Sequence, residues 1–384
     1  MAQCCRRWWD LDAQNGRESM RDDYLDYEEA FYSSGKRESR KERRQTQAKD
    51  RSKYKKTDQV KQEKTVTLGE NDRRGRVLKI SPDIITVTCD NTAFDCTLKG
   101  ALKKEKTKQK NLIAVGDWVY FDPSQTIFHV EARTSFLRRA ENLSRRKHQL
   151  IAANIDQVFI VTSLVSPKFK PLLIDRYILS AKEGNMDPII VVNKHDLLMA
   201  PPENISADEA AAEKLVFEEF LEAYQPLDIP IVVLSVATGE NLHELKALME
   251  NKTSVFSGQS GVGKTSLINA IFGSDLPIGP IALKTNKGSH TTTNAELVTL
   301  ENGAFCIDTP GIKSFGLWQN DPAAILEIFP DFIPFAADCK FKTCTHIHEP
   351  ECGIKKALEE KKLAPLRYAS YLTLLEDTPP KEWE

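Results

Sequence analysis

Apolar and polar positions change texture several times along the chain. Up to about residue 70 the pattern is polar, and between Lys36 and Lys64 the only aliphatic residue besides an alanine is Val60. A stretch so poor in apolar groups cannot build a core, and it reads as a charged, disordered tail. Short alternating runs rich in β-branched and aromatic residues begin at about Arg73: Arg76–Ile80, Ile84–Cys89, Phe94–Leu98, Asp117–Phe121 and Phe128–Ala132. Gly75, Gly100 and Gly116, with the pairs Ser81-Pro82, Asp90-Asn91 and Asp122-Pro123, separate them as turns. Five strands in about sixty residues predict a small barrel of the oligonucleotide-binding (OB) type.

From Asn154 the apolar runs become nearly continuous, at Val158–Thr162, Pro188–Val192 and Ile229–Leu234. Leu172–Gly184 and Ala207–Tyr224, between them, have helical character. Strands that do not alternate are covered on both faces, so this stretch predicts an α/β domain with a parallel sheet between helices. After about Leu317 the alternation stops, and a cysteine- and histidine-bearing segment leads into a charged helical C-terminus.

Composition narrows the class. At 41% hydrophobic and 28% charged over 384 residues, the chain fits a soluble multidomain protein. No run approaches the ~18 apolar residues of a membrane helix. The N-terminus lacks the apolar core of a secretion signal, and Cys4-Cys5 has no apolar segment beside it to support an anchor. Eight cysteines are too sparse for a disulfide scaffold, so a reduced, cytoplasmic, monomeric protein without a membrane partner is expected. The net charge of −2 hides an asymmetry. Residues 1–35 hold eight acids and four bases, whereas residues 36–64 hold thirteen bases and five acids, a local net of +8. Such an arm is drawn to phosphate backbones without reading their sequence, although a solvated tail explains it as well. The lysine-rich loop Lys103–Lys110 between two barrel strands is a second basic element suited to RNA.

The sharpest motif is Gly258, Gln259, Ser260, Gly261, Val262, Gly263, Lys264, Thr265, a complete G-x-x-x-x-G-K-[ST] phosphate loop. A β-like Ser254–Ser257 precedes it and a helical run from Ser266 to Phe272 follows. Glycines let successive N–H groups turn toward phosphate at the helix N-terminus. Lys264 would reach the β- and γ-phosphates, and the Thr265 hydroxyl would ligate Mg²⁺. Asn193, Lys194, His195 and Asp196, directly after an apolar strand, form N-K-x-D. A carboxylate at Asp196 can accept from guanine N1–H and its 2-amino group together, which selects GTP and GDP over adenine nucleotides. Ser235 opens Ser-Val-Ala, a weaker match to the loop that backs the guanine. Asp308-Thr-Pro-Gly311 follows the strand Ala304–Ile307. There Asp308 would hold Mg²⁺ and the Gly311 N–H would sense the γ-phosphate. In Gly288–Thr293 lie the switch hydroxyls, with Thr292 the first candidate and Thr291 its rival.

N-K-H-D precedes Gly258 by sixty-five residues, so the motif order is circularly permuted. Geometry depends on strand order in space, and all the pieces can still meet at the carboxyl edge of one sheet. The segment after Gly311 then leads straight out of the domain, so a γ-phosphate-dependent movement there would pull on the C-terminus. That C-terminal segment carries Cys339, Cys344, His346 and Cys352, a Cys₃His set suited to structural Zn²⁺, with His348 as rival to His346.

Together, G-Q-S-G-V-G-K-T, G-x-H-T-T-T, D-T-P-G-I, the preceding N-K-x-D and C-x4-C-x-H-x5-C resemble the ribosome small subunit-dependent GTPase A (RsgA/YjeQ) family. Ile174–Tyr177 and Cys344–Pro350 agree with it as well. The resemblance runs from about Arg73 to the C-terminus and leaves the first seventy residues outside. It implies a factor that binds the immature small ribosomal subunit and its rRNA late in assembly, with GTP hydrolysis stimulated by the subunit and coupled to release. Expected domains are a tail over 1–70, an OB barrel over 71–137, a permuted GTPase over 138–318 and a zinc-binding helical domain over 319–384. Ile312 stands where many GTPases place a water-orienting Gln. His290 is the candidate replacement, and it could equally serve only to shape its loop. The rival functions are a GTP-dependent RNA-binding scaffold and a GTPase with another RNA partner.

Overall fold

The alternating runs form five strands: β1 (Arg73–Ile80), β2 (Ile85–Cys89), β3 (Thr92–Leu98), β4 (Trp118–Phe121) and β5 (Thr126–Val130). The computed structural model describes residues 69–100, 112–140, 148–273, 295–299, 303–308 and 322–376. The acidic and basic stretches before residue 69 and the loop Lys103–Lys110 lie outside these residues. The strands run in the order β1-β2-β3-β5-β4, and β4 pairs back onto β1, which closes the barrel. Asp90 and Asn91, both with positive φ, make the two-residue turn between β2 and β3, a geometry matched to strand twist. Val77, Val87, Cys96, Val119, Phe121 and Ile127 fill the interior.

A hairpin that the hydrophobic pattern did not predict follows, β6 (Phe136–Ala140) and β7 (His148–Ala153). Next come β8 (Gln157–Ser163), α1 (Pro171–Glu183), β9 (Asp187–Asn193), α2 (Ala207–Tyr224), β10 (Ile231–Val233), α3 (Leu242–Met249), β11 (Thr253–Ser257) and α4 (Lys264–Phe272). Two short strands, β12 (Glu296–Thr299) and β13 (Phe305–Asp308), complete the sheet in the order β10-β9-β8-β11-β13-β12. All pairs are parallel except β12 with β13. Successive β8 residues explain the unbroken apolar run. Val158 and Ile160 enter a core shared with α1 and α2, while Phe159 and Val161 enter the opposite core against α3 and α4. Ser206 starts α2 with a reciprocal capping box to Glu209. The edge strand β12 pairs with β1 at Lys79 and Glu296, so barrel and parallel sheet form one 11-stranded sheet.

The C-terminal helices are α5 (Pro322–Glu327), α6 (Ile333–Ala336), α7 (Gly353–Glu359) and α8 (Pro365–Glu376). Arg367 of α8 is wholly buried and pairs with Asp175 of α1 and with Asp331. It also donates to the Ile328 carbonyl at 2.9 Å, and its guanidinium lies 4.1 Å from the Phe329 ring centroid. The Tyr224 hydroxyl donates to the second Asp175 oxygen, so α1, α2 and α8 share one polar hub. Removing the cation from such a cluster strands a buried carboxylate, at about 3–5 kcal/mol. Arg367→Ala is therefore expected to lower the unfolding free energy by about that amount in denaturant titrations. A loss below about 1 kcal/mol would show that water satisfies Asp175 instead.

Candidate nucleotide site and metal centre

The nucleotide-site residues gather at the carboxyl ends of β11, β8, β9 and β10. After β11 the chain turns at Gly258, whose φ is +141°, and a Cβ there would lie 2.0 Å from the Val161 carbonyl oxygen of β8. Only glycine passes so close to a neighbouring strand. Gly263, with φ +93°, faces the Asn193 side chain, and a Cβ would come within 2.5 Å of its Nδ2. Lys264 Nζ reaches back over the loop to the carbonyls of Gly258 (2.6 Å) and Gln259 (2.5 Å). Thr265 and Ser266 lie in the first turn of α4, with Thr265 exposed. Ser260, Gly261 and Val262 complete the turn, Val262 buried in the core beneath it. The loop leads directly into the N-terminus of α4, the usual setting for phosphate.

Neighbouring loops lock onto this one. Asn193, at the end of β9, donates through Nδ2 to the Val262 carbonyl at 2.8 Å. Its Oδ1 accepts from the N–H groups of Lys194 (2.8 Å) and Val236 (3.2 Å). Lys194 adopts a left-handed backbone and sends Nζ to the carbonyls of Gly261 (2.6 Å) and Ser166 (2.5 Å). Burial lowers its pKa, with the Asp196 carboxylate acting the other way. After β10 the buried Ser235 donates to Asp196 Oδ1 at 2.6 Å, which fixes the carboxylate that would read guanine. His195 Nδ1 lies 3.2 Å from Glu240 Oε2, closing the rim of the same loop. Sequence reasoning missed Glu240 and Ser166. Ser166 contributes a backbone carbonyl, which any residue type supplies, and so left no signal, whereas Val236 lies within the Ser-Val-Ala match.

On the other side of β11, β13 ends at Asp308, which places that residue at the same sheet edge. Its side chain, with Gly311, Ile312, His290, Thr291 and Thr292, lies outside the described residues.

The second cluster is the C-terminal one. Ligand atoms of Cys339, Cys344, His346 and Cys352 all lie within 4.8 Å of one another. Cys339 Sγ and Cys352 Sγ are 3.9 Å apart, and each is 3.5 Å from His346 Nδ1. A zinc tetrahedron with bonds of about 2.3 Å to sulfur and about 2.1 Å to nitrogen has S···S and S···N edges of about 3.8 and 3.6 Å, so the donors fit that ion. Burial lowers the His346 pKa, against Glu349, and keeps the imidazole in the neutral form that ligation needs. His348 stays exposed outside the cluster. Glu349 gathers the connecting loop: it accepts from the Thr345 N–H and hydroxyl, both at 2.7 Å, and from the N–H groups of Ile347 and His348. From α8, the Tyr368 hydroxyl donates to the His346 carbonyl at 2.8 Å and Tyr371 to that of Thr345 at 3.1 Å.

A phosphate loop on a central buried strand, an Asn-Lys-x-Asp segment on a strand beyond it and a backing loop on the next one define a P-loop GTPase with a circularly permuted chain. Comparison with known proteins agrees: the model of the RsgA GTPase family matches residues 130–318. The small ribosomal subunit biogenesis GTPase RsgA 2 of Bacteroides thetaiotaomicron is 34% identical over 311 residues, covering 79% of this chain and 96% of that one. The small ribosomal subunit biogenesis GTPase RsgA of Chlorobaculum parvum is 39% identical over 279 residues, 69% of this chain and 85% of that protein. Among solved structures, YjeQ from Thermotoga maritima superposes with a TM-score of 0.64 at 29% identity, covering 81% of this chain and all of that one. YloQ, a circularly permuted GTPase, gives 0.61 at 25% identity over 82% of this chain and 98% of its own. The chain belongs to the RsgA GTPase family and is a GTP hydrolase.

A hydrogen bond to a charged partner contributes about 1.5–3 kcal/mol. Ser235→Ala is thus expected to weaken GDP and GTP equally, by about tenfold or more, in titrations with a fluorescent nucleotide. A shift confined to GTP would contradict the assignment of Ser235 to the base side.

Proposed function

We propose that this GTPase binds the small ribosomal subunit through its rRNA and acts in the late assembly of that subunit, with hydrolysis stimulated on the subunit and coupled to release. The observation that carries the reading is the name shared by relatives that align over most of the chain, all biogenesis GTPases of the small subunit. The barrel supplies a compatible surface. Arg74, paired with Glu131, lies 4.0 Å from the Trp118 ring centroid and Arg73 lies 5.1 Å from that of Phe94, two cation–aromatic pairs of the kind used beside stacked bases. Tail, barrel, GTPase and C-terminal helical domain then divide the chain near residues 70, 137 and 318, and the protein works as a cytoplasmic monomer. No helix among the described residues is long and apolar enough to cross a membrane.

In this reading Asn193, Lys194, His195, Asp196 and Ser235 hold the guanine. The loop Gly258–Ser266 cradles the phosphates, and Gly311 senses the γ-phosphate. Lys264 neutralises charge that builds in transfer, while Thr265, Asp308 and Thr292 would hold Mg²⁺. Mg²⁺ supplies electrostatic stabilisation of the transferring phosphoryl group. Since Ile312 cannot direct water by hydrogen bonding, His290 is assigned to that task. GTP turnover measured alone, with small subunits and with large subunits decides the matter. Stimulation by small subunits alone, abolished in Lys264→Ala and reduced about a hundredfold in His290→Ala, is expected. Equal stimulation by large subunits would redirect the reading to another RNA, and an unchanged His290→Ala would remove that residue from catalysis.

Cys339, Cys344, His346 and Cys352 are assigned to one structural Zn²⁺ with no open coordination position. One zinc per chain by elemental analysis is expected. Cys352→Ser should lose it and expose α7 and α8 to protease, whereas zinc retained at full occupancy in that variant would dismiss the ligand set.

A further inference from the structure

Barrel and GTPase sheet meet at a buried cation that no step of the nucleotide chemistry uses. Arg76 of β1 is 5% exposed. It donates through Nη2 to the Asn154 carbonyl at 2.7 Å and, at 3.4 Å, through Nε to that of Gly116. Its guanidinium lies 4.7 Å from the ring centroid of Phe305, the first residue of β13, and 5.4 Å from that of Trp118. Burial lowers its pKa to about 10, with Asp156 opposing. A guanidinium that is buried, packed on a ring and bonded to two carbonyls has little freedom, so it holds β1 to the Gly116 and Asn154 backbone and against the Phe305 side chain of β13. The chain around it is equally close. Gly116, with φ +87°, passes so near the Ala153 carbonyl that a Cβ would sit 2.2 Å from its oxygen, and Asn154 Nδ2 donates to the Gly116 carbonyl at 3.0 Å.

A second tie lies at the far end of β13. Glu296 of β12 is in register with both Lys79 of β1 and Asp308 of β13, so one row crosses three strands. Lys79 Nζ reaches Glu296 Oε2 at 3.0 Å along it. β12 leaves the threonine segment and β13 leads to Asp-Thr-Pro-Gly, so the barrel is attached to the two strands that frame the γ-phosphate side.

We infer that Arg76 couples the barrel to the GTPase sheet, making the barrel sense the bound nucleotide through β12 and β13. The inference rests on the proposed function only for the identity of the barrel's ligand. Linkage is reciprocal, so whatever the nucleotide does to the barrel, a barrel ligand does to nucleotide affinity.

Amide hydrogen exchange on the full chain tests this without ribosomes. A non-hydrolysable GTP analogue, compared with GDP, is expected to change exchange in β1 and β2 by about fivefold or more, the lower range of allosteric couplings. In Arg76→Met the response should vanish while the two nucleotides still bind, and Arg76→Lys should restore it only in part. Phe305→Leu, which keeps an apolar side chain under the guanidinium, should weaken it and serves if Arg76→Met fails to fold. Exchange in β1 that ignores the nucleotide in the wild type overturns the coupling, and a full response in Arg76→Met overturns the role of Arg76. In turnover assays, Arg76→Met should keep basal hydrolysis and lose at least tenfold of the small-subunit stimulation. If the wild type is not stimulated by small subunits, the partner assignment fails, and the exchange result still decides the coupling.

Discussion

The parallel pairing of β8 with β11 is the contact on which the nucleotide site depends. It joins two parts of the chain that lie about ninety residues apart, with Ser254 opposite Gln157 and Ser257 opposite Ile160. On one flank stand β9 and β10, whose loops carry Asn193–Asp196 and Ser235. On the other stand β13 and β12, which lead to and from the phosphate-side segments. Gly258 leaves β11 so close to Val161 of β8 that no side chain would fit, and Asn193 then crosses from β9 to the Val262 carbonyl. Circular permutation leaves these contacts intact because each is a relation between strands in space. Joining former termini through α3 changes only the covalent path.

Polar clusters are set within the apolar contacts where the modules meet. Arg76 of β1 bonds to the Asn154 carbonyl just before β8 and packs its guanidinium against Phe305 of β13, and Arg367 bonds α8 to α1 and Asp331. A buried ion pair adds little net stability against an apolar replacement of the same shape, because desolvation offsets its attraction. It does penalise misalignment, since a small shift leaves a charge without its partners. Such joints therefore favour one relative placement of the modules over sliding alternatives, which the apolar contacts around them distinguish less sharply.

Much of this architecture was legible in the sequence, for identifiable reasons. Strands buried on both faces declare themselves as nearly unbroken apolar runs, as Val158–Thr162 does, and the phosphate loop requires glycine at positions with positive φ. The cysteine–histidine cluster was legible because thiols and imidazole are scarce and were closely spaced. The pattern hid β6 and β7, since Arg138 and Arg139 interrupt the first strand and the basic run Arg145–Lys147 precedes the second. It also hid β12: of its four residues Leu297 is buried, while Val298 is 42% exposed. Nothing in an amphipathic helix marks Arg367 as inward-facing, because burial of a cation is decided by partners distant in sequence. Asp175 lies 192 residues away.

β12 carries a further consequence. A strand of four residues with one inward side chain has too little apolar surface to hold its place by itself. Its position is set by β13 on one side and by β1 on the other. The exposed Lys79–Glu296 pair adds at most about 1 kcal/mol, so most of this support comes from backbone pairing. An unpaired edge is a liability in any open sheet, and here the barrel covers the one beside the phosphates while β10 bounds the sheet on the base side. The strand that leaves the threonine segment is thus completed by the barrel. A GTPase built this way has no phosphate-side edge independent of its barrel, which makes the barrel part of the nucleotide site's mechanical framework as well as a neighbouring module.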